Sequence, residues 1–246
     1  MEQLVNKNFQ IRIDKNNPIL RDHKVDSISI LPGVVYLDFI YRVLENAKYE
    51  VSNFRIRHIT FKQPLRLIND FDRVLTMKLN RSENGMSVTI ESCIPNDEDN
   101  SIKHFEAEII ARSFEPLPDL DLEELQLNKI GSIPLTEIYS IAEKFKIQHG
   151  NYMRAQGFLH KTKDKVFAEL TVSELHGANN RYVANPCLMD AATLVGLVTF
   201  DVSKLSKPLL PIVIEEFTMG IPLPRKIFVV AKRLDEEIIK VKDIVT

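Results

Sequence analysis

Two residues that lie far apart in the sequence could act together as a general base and a general acid. His23 lies in a segment that leads into Pro32 and Gly33, at the start of an apolar stretch. Asp190 lies inside a second apolar stretch, which also begins at a proline, Pro186. An imidazole titrates near neutral pH and can accept a proton. Burial in an apolar helix raises the pKa of a carboxyl and favours its neutral, proton-donating form. The pair therefore predicts acid–base chemistry.

The pattern of apolar residues predicts the elements that would position this pair. Nearly all-round apolar cover over residues 33–47 and 186–200 predicts two buried helices, and a third helix is predicted over 135–145. Asn84-Gly85 predicts a two-residue hairpin turn. The charged run 161–165 predicts a solvated hairpin turn, and the polar run 95–101 predicts a loop. Alternating runs predict strands over residues 9–13, 54–61, 74–79, 86–94, 104–111, 158–160, 166–172, 212–219, 227–232 and 237–245.

These elements divide into two similar halves. Prolines at positions 116, 118 and 134 interrupt an acidic stretch without strand alternation, which predicts a surface linker over residues 114–134. The linker separates residues 1–113 from residues 135–246. Each half contains one long apolar helix and several strands of antiparallel type, which predicts an α+β fold.

The composition narrows the class of protein. The chain has 246 residues, 44% of them hydrophobic, and a net charge of −2 with interspersed charges. This predicts a sizeable core and argues against a partner that is a nucleic acid. We find no secretory signal and no apolar run of the roughly 20 residues that a membrane span needs. Cys93 and Cys187 do not form a disulfide framework or a zinc motif, so we expect a reducing, cytoplasmic setting.

Three segments resemble the signatures of polyketide synthase dehydratase domains, in the order and at the spacing of that family. The first signature is a histidine, three residues, a glycine, four residues and a proline, and it matches His23, Ser27 and Pro32. The family commonly continues with a pattern that is present here as Leu31-Pro32-Gly33-Val34-Val35-Tyr36-Leu37. The second signature, Gly-Tyr-x-Tyr-Gly-Pro-x-Phe, corresponds to residues 146–153, in which Gly150 is kept. The third, His-Pro-x-Leu-Leu-Asp, corresponds to residues 185–190.

Four positions depart from the family pattern. Ser27 replaces a glycine, which predicts a changed backbone path near His23. His149 replaces a tyrosine and keeps the ability to donate a hydrogen bond. Asn185 replaces a histidine, and Leu194 replaces the Gln or His that helps to hold the aspartate and the leaving hydroxyl. The change at Leu194 weighs most against efficient elimination of water.

The resemblance implies a double-hotdog fold, in which two curved antiparallel sheets each wrap a central helix. It also implies a hydro-lyase that removes water from a 3-hydroxyacyl thioester and leaves an α,β-unsaturated thioester. His23 would take the α-proton, and Asp190 would protonate the departing hydroxyl. Substrate contacts are expected from Pro32, from the Gly33 N–H on the thioester carbonyl, and from the residues His149, Gly150 and Leu194.

The same resemblance implies the partners of the chain. The substrate would be carried on the phosphopantetheine arm of an acyl carrier protein, and the chemistry would need neither a metal nor a nucleotide. Neighbouring synthase domains are expected as partners, often in a homodimeric arrangement. Neither a nucleic acid nor a membrane is expected as a partner. Family members usually continue for another strand or two, so we expect the C-terminal half to be trimmed.

Other readings of the sequence stay open at this point. The same base could shift a double bond or close a ring by adding a hydroxyl to an alkene, and the departure at Leu194 favours such reactions. A catalytically silent domain that binds the acyl chain or braces the synthase is favoured by Ser27, Asn185 and Leu194. Cys187 could be read as a nucleophile, although a small buried thiol at a helix start is more common. The remaining histidines, at positions 58, 104, 160 and 176, are interpreted as structural.

Overall fold

The computed structural model describes residues 2–67, 72–95, 97–112, 121–163, 165–177, 182–199, 212–233 and 239–245. The helices are α1 Pro18–Asp22, α2 Val34–Asn46, α3 Leu122–Leu127, α4 Leu135–Lys144 and α5 Pro186–Leu197. The first strands are β1 Lys7–Ile13, β2 His23–Val25, β3 Ile28–Ser29, β4 Phe54–Phe61, β5 Arg73–Arg81, β6 Met86–Ile94 and β7 Asp97–Ala111. The later strands are β8 Gly131–Pro134, β9 Ile147–His149, β10 Gln156–Lys161, β11 Val166–Thr171, β12 Val213–Thr218, β13 Lys226–Arg233 and β14 Ile239–Val245.

The chain forms two compact units whose segments interleave in sequence. Unit 1 comprises Met1–Arg21, Ile28–Pro116 and Leu210–Pro222. Unit 2 comprises Asp22–Ser27, Leu117–Leu209 and Leu223–Thr246. The short segment that carries His23 thus belongs to the unit built mainly from the second half of the chain. None of the helices within the described residues has the length and apolarity that crossing a bilayer requires.

Unit 1 is an antiparallel sheet with a buried helix. Its strand order is β1-β5-β6-β7-β4-β12. Two tyrosines of α2 pack on this sheet: the Tyr36 ring lies 5.5 Å from the ring of Phe105, and the Tyr41 ring lies 5.9 Å from that of Phe217. Nearly every residue of α2 is buried, as the all-round apolar pattern predicts.

Unit 2 repeats this plan with a second antiparallel sheet of order β14-β13-β11-β10-β8. The apolar helix α5 packs against β11 and β13. The short helix α3 contributes Leu125 to a buried cluster with Phe167 and Val230. In the same unit, β2 and β9 form a small antiparallel pair. Both units therefore combine one sheet with one buried long helix, and the predicted α+β class is confirmed.

Two stretches that the sequence pattern predicts as irregular contain regular structure. The prediction of a loop over residues 95–101 is wrong from Asp97 onward, because β7 begins there and its backbone continues the ladder with β6. Ladder hydrogen bonds come from the backbone, so polar side chains do not prevent a strand. The predicted linker contains α3, whose N-cap Asp121 accepts a hydrogen bond from Glu124 N, and the strand β8. Residues 113–120 of that linker lie outside the described part.

Other predicted elements agree closely with the structure. The predicted strands 54–61 and 86–94 coincide with β4 and β6. The hairpin at Asn84-Gly85 is present, but its connection between the paired residues Arg81 and Met86 has four residues, Ser82 to Gly85, so the predicted two-residue length is wrong. A turn closed by Thr162 and Lys165 joins β10 and β11, as predicted. The short strands β2 and β9 were not predicted, since three residues are too few to show alternation.

The structure gives Gly33 a packing reason that is independent of any ligand. Its backbone is right-handed helical, at φ −58° and ψ −27°, so no unusual conformation requires glycine there. A Cβ at this position would lie 2.5 Å from Cε1 of Phe61, which is too close for a carbon–carbon contact. Gly33 therefore lets β4 approach the start of α2.

We expect Gly33→Ala to lower the free energy of unfolding by about 1–3 kcal/mol, the usual cost of overpacking. Phe61→Leu in the same chain should restore most of that loss, because the clash is with the ring. Gly131→Ala is the matched control, since a Cβ there meets no atom within 4 Å. Urea unfolding of the three variants checks the prediction, and it is wrong if the Phe61→Leu change gives no recovery.

Candidate active site

Three titratable side chains of unit 2 meet in a buried group that we call the His–His–Asp cluster: His23, His149 and Asp190. Asp190 Oδ2 lies 2.9 Å from His149 Nε2, and Asp190 Oδ1 lies 3.9 Å from His23 Nε2. The two imidazole rings meet edge to face with their centroids 5.3 Å apart. All three residues are buried. The residues predicted as base and acid are thus close together, with His149 beside both.

The pairing of β2 with β9 aligns the two histidines. In this ladder His23 is directly opposite His149, and directly opposed residues project their side chains to the same face of a sheet. The other end of the pair is held by Asp26, whose N–H donates to Lys146 O at 3.0 Å. The Asp26 carboxylate also lies 3.0 Å from Lys146 Nζ. A few backbone contacts thereby fix both imidazoles.

Ser27 keeps the backbone conformation that a glycine would adopt. Its φ is 66°, in the left-handed region that L-residues enter at a cost of roughly 1–2 kcal/mol. This conformation is one that glycine adopts readily, and the expected change of backbone path relative to the family stays a prediction. The turn that follows β2 is therefore strained at Ser27.

Asp22 connects the two histidine segments, a role that its place in the sequence did not indicate. Its carbonyl oxygen accepts a hydrogen bond from Gly150 N at 2.7 Å, and its Oδ2 accepts one from Tyr152 N at 2.7 Å. A Cβ on Gly150 would lie 2.5 Å from Asp22 Cγ. Gly150 is therefore needed for the close approach of Asp22, whatever contact it makes with a substrate. The only signal in the sequence was that Asp22 and Gly150 each adjoin a candidate histidine.

Helix α5 presents Asp190 from its second turn. Asn185 caps the helix: its side-chain oxygen accepts hydrogen bonds from Cys187 N at 3.0 Å and Leu188 N at 3.4 Å. Asn185 thus has a structural role, which its residue type explains, because asparagine is a favoured N-cap. Leu194 lies one turn beyond Asp190 and is buried, where it presents an apolar side chain.

Asp190 does not have the raised pKa that its apolar surroundings predict. Burial is the largest single influence on this carboxyl and acts to raise its pKa. The hydrogen bond from His149, together with the charges that His149 and His23 can carry, acts in the opposite direction and holds the pKa below its ordinary value. The expectation of a neutral Asp190 is therefore wrong for the ligand-free cluster. The sequence indicated that the carboxyl is buried but not that two imidazoles adjoin it.

Two further titratable groups, Cys187 and Tyr139, lie near Asp190, and both remain neutral near pH 7. Burial, and to a lesser extent the nearby Asp190 carboxylate, raises the pKa of the Cys187 thiol to about 12. A thiol with so high a pKa is a poor nucleophile, which argues against the nucleophile reading of Cys187. Burial, and to a lesser extent the nearby Cys187 thiol and Asp190 carboxylate, also raises the pKa of Tyr139.

The His–His–Asp cluster offers three ligand atoms within 4.8 Å of one another, close enough for one metal ion. A neutral imidazole that binds a metal through Nε2 carries its proton on Nδ1. The Nδ1 of His149 is buried and has no hydrogen-bond partner among the described residues. Metal ligands normally donate this second proton to a carboxylate, a carbonyl or water. The surroundings of His149 therefore favour its hydrogen bond to Asp190 over metal binding.

Several residues that the sequence singles out are not members of the His–His–Asp cluster. Pro32 and Gly33 belong to unit 1, where they precede α2. His104, also in unit 1, is buried and lies 2.7 Å from both Ser92 Oγ and Gln63 O. His176 lies 2.7 Å from the carbonyl oxygen of Tyr152. The contacts of His104 and His176 are those of structural histidines, in line with their interpretation from the sequence.

The sequence matches a known family over its first part. The profile described as "Polyketide synthase dehydratase domain" matches residues 3–93. Polyketide synthase PksM of Bacillus subtilis (strain 168) is 26% identical over 188 residues, which cover 74% of this chain and 4% of that protein. The chain therefore spans only a small fraction of the curated relatives that it matches.

Solved structures resemble the fold over nearly the whole chain. An N-terminal dehydratase from the difficidin assembly line is 29% identical with a TM-score of 0.83, covering 92% of this chain and 78% of that one. A monomeric dehydratase domain from a trans-AT polyketide synthase split module is 22% identical with a TM-score of 0.80, covering 92% and 86%. Because the similar structures are double-hotdog domains, the predicted double-hotdog fold is confirmed.

The contact between Asp22 and Gly150 predicts a specific sensitivity. We expect Gly150→Ala to push Asp22 away, which breaks the hydrogen bond from Gly150 N to the carbonyl oxygen of Asp22. Overpacking of this kind costs about 1–3 kcal/mol. Urea unfolding measures the loss, with Gly131→Ala again as the matched control because the space around Gly131 is open. A Gly150→Ala variant as stable as its control would contradict the packing argument.

The lowered pKa of Asp190 predicts part of the pH dependence of stability. A carboxyl whose pKa is lower in the folded chain stabilises the fold above its unfolded pKa of about 3.9, and loses that effect as the pH falls through the folded value. Urea unfolding at neutral pH and in acid should therefore show a smaller acid-induced loss of stability in Asp190→Asn than in the wild type. An equal or greater loss in the variant would contradict the assignment.

Proposed function

We propose that this chain, which belongs to the family of polyketide synthase dehydratase domains, removes water from a 3-hydroxyacyl thioester. The product is an α,β-unsaturated thioester, and the reaction is that of a hydro-lyase. The observation that carries the proposal is the 3.9 Å separation of His23 Nε2 and Asp190 Oδ1 in one buried cluster. The α-hydrogen and the β-hydroxyl are on adjacent carbons of the substrate, so a base and an acid that act on them must be neighbours.

His23 is the proposed base. An α-proton beside a thioester carbonyl is weakly acidic, and a neutral imidazole in a water-poor site is suited to remove it. His23 is buried on β2 and aimed at the same carboxyl as His149. In the proposed step the α C–H bond breaks, its proton passes to His23 Nε2, and its electron pair moves toward the carbonyl to form an enolate.

Asp190 is the proposed acid. It acts in the form of the pair in which the one proton shared with His23 lies on Asp190 and His23 is neutral. The enolate electrons return to form the double bond, the bond between the β-carbon and its oxygen breaks, and the oxygen leaves with a proton from Asp190 Oδ1 as water. One substrate proton is taken up and one enzyme proton is given, so the pair ends as a protonated His23 and an ionised Asp190. Such acid–base assistance typically contributes about 10²–10⁴-fold to a rate.

The proposed substrate arrives on the phosphopantetheine arm of an acyl carrier protein. The curated relatives are polyketide synthases, which supports neighbouring synthase domains as partners. The proposed chemistry consists of proton transfers and uses neither a metal nor a nucleotide. The cytoplasmic setting stays a prediction. The homodimer, the carbonyl contact of Gly33 and the substrate contact of Leu194 stay predictions.

The reaction can be followed on a carrier protein loaded with a 3-hydroxyacyl group. We expect the wild-type chain to lower the intact mass by one water, and His23→Ala and Asp190→Asn to abolish that loss. Near-complete loss of turnover is expected because each substitution removes a group that exchanges a proton with the substrate. His58→Asn is the matched control: His58 is exposed and has φ 51°, a conformation that asparagine tolerates.

The other outcomes separate the alternative readings. A double bond that migrates in an enoyl substrate without a change of mass would overturn dehydration in favour of isomerisation. A hydroxylated enoyl substrate that closes a ring would favour cyclisation. No change in any of these substrates, with chains shown by circular dichroism to be folded, would favour a silent domain.

A further inference from the structure

We infer that His149 is a positioning residue: as a neutral Nε2–H donor it holds Oδ2 of Asp190, so that Oδ1 stays turned toward His23 and receives its proton back after each turnover. The inference rests on the proposed function and adds to it how the acid is recharged. It gives the histidine that replaces the tyrosine of the family signature a defined task. Four features of the described residues support it: a packed ring, a single donor direction, divided carboxyl oxygens and neutral neighbours.

The ring of His149 has little freedom to turn. Its side chain is 1% exposed. The ring of Tyr139 packs against it with centroids 5.1 Å apart, and the ring of His23 packs edge to face at 5.3 Å. Tyr139 is itself fixed, because its hydroxyl accepts a hydrogen bond from Ala155 N at 2.8 Å. A ring held by two neighbours offers Asp190 a constant direction of donation.

The surroundings of His149 assign its proton to Nε2. Nε2 lies 2.9 Å from Asp190 Oδ2, whereas the buried Nδ1 has no partner among the described residues. A buried N–H without an acceptor costs about 1–3 kcal/mol, and a bare ring nitrogen avoids leaving such a donor unpaired. Both the imidazolium and the Nδ1–H tautomer would leave that donor unpaired. The neutral Nε2–H form is therefore favoured, and the group that it faces is a carboxylate.

The two oxygens of Asp190 are divided between the two histidines. Oδ2 accepts from His149, and Oδ1 faces His23 Nε2 at 3.9 Å. Without the first contact the carboxyl could turn about its terminal torsion, which is broad for aspartate. The hydrogen bond therefore selects the orientation in which the free oxygen is next to the base. A misplacement of about 1 Å in such a pair can cost roughly 10²-fold in rate.

The proton balance of the proposed elimination explains why this orientation matters. Each turnover leaves a proton on His23 Nε2 and a negative charge on Asp190. The gap of 3.9 Å is longer than a direct hydrogen bond of about 2.6–3.2 Å, but the water just formed can bridge it. It accepts the proton from His23 while donating one of its own to Asp190 Oδ1, and then departs. No further proton donor or acceptor is needed.

The other groups around Asp190 leave this exchange undisturbed. Asp190 faces His23 from β2, His149 from β9, Tyr139 from α4 and Cys187 from its own helix. Burial keeps the phenol and the thiol neutral, since it raises the pKa of each. Arg154 contacts the face of the Tyr139 ring. The mobile proton of the cluster is therefore shared between His23 and Asp190.

Two substitutions separate positioning from mere packing. His149→Gln keeps an N–H donor, and His149→Phe keeps an aromatic ring without one. We expect His149→Phe to lower kcat about 10²-fold and His149→Gln less than about tenfold. The active form is the pair of His23 and Asp190 with one proton between them, so the acid limb of the kcat/KM profile reports the lower pKa of the pair, which belongs mainly to Asp190. Loss of the hydrogen bond raises that pKa, so the acid limb should move to higher pH in His149→Phe only. His160→Gln, which removes a histidine of β10 outside the cluster, is the control and should leave the profile unchanged.

Nuclear magnetic resonance of the ligand-free protein gives a readout that does not depend on turnover. The ring nitrogen shifts of His149 should show a protonated Nε2 and a bare Nδ1 near neutral pH. The Asp190 carboxyl carbon should titrate at higher pH in His149→Phe than in the wild type. These results would stand even if the chain dehydrated no substrate, in which case only the proposed function would fail. A protonated Nδ1, or an acid limb shared by the wild type and His149→Phe, would overturn the inference.

Discussion

Burying a carboxylate costs several kcal/mol unless neighbouring groups compensate for the lost water, and at Asp190 that compensation comes from two imidazoles. Much of the structure of unit 2 around this residue positions these two imidazoles. The histidines come from strands that are separated by most of unit 1 in the sequence, and the β2–β9 ladder places them directly opposite each other. Asp22 then ties the end of β2 to the backbone of Gly150 and Tyr152. The position of the base thus depends on a few backbone hydrogen bonds rather than on a large apolar contact.

Helix α5 makes the surroundings of the Asp190 carboxyl rigid. It packs against β11 and β13, and nearly all of its residues are buried. The N-cap at Asn185 satisfies backbone N–H groups that would otherwise be unpaired at the buried helix start. A packed interior has few alternative arrangements, so the backbone from which the Asp190 side chain extends is fixed in position. Its remaining freedom is rotation, which the contact with His149 restricts.

The cluster also illustrates how coupling between groups can reverse an expectation based on burial alone. For an isolated aspartate in an apolar helix, desolvation favours the neutral acid. The same burial strengthens the hydrogen bond from His149 and the attraction to any charge on His23, because both act in a medium of low dielectric. Together these interactions outweigh desolvation at Asp190. Acid and base then share one proton, and their pH dependence belongs to the pair rather than to either residue.

The sequence was sufficient for the features that depend on local pattern. All-round apolar cover identified α2 and α5 as buried helices, and alternation located β4 and β6. The resemblance of three ordered motifs selected the double-hotdog dehydratase family and drew attention to His23 and Asp190. Patterns of this kind can be read because each residue contributes with a period of two or 3.6 along its own segment.

Only the tertiary structure decided which segments meet. The segment Asp22–Ser27 belongs to the unit formed mainly by the second half of the chain, which no periodicity over six residues could indicate. The same holds for the 2.9 Å contact between His149 and Asp190, for the close approach of Asp22 to Gly150, and for the lowered pKa that follows at Asp190. Each depends on distances between residues remote in sequence. Local pattern fixes how a segment folds, but the charge state of a buried group is set by whatever the fold places within a few ångströms of it.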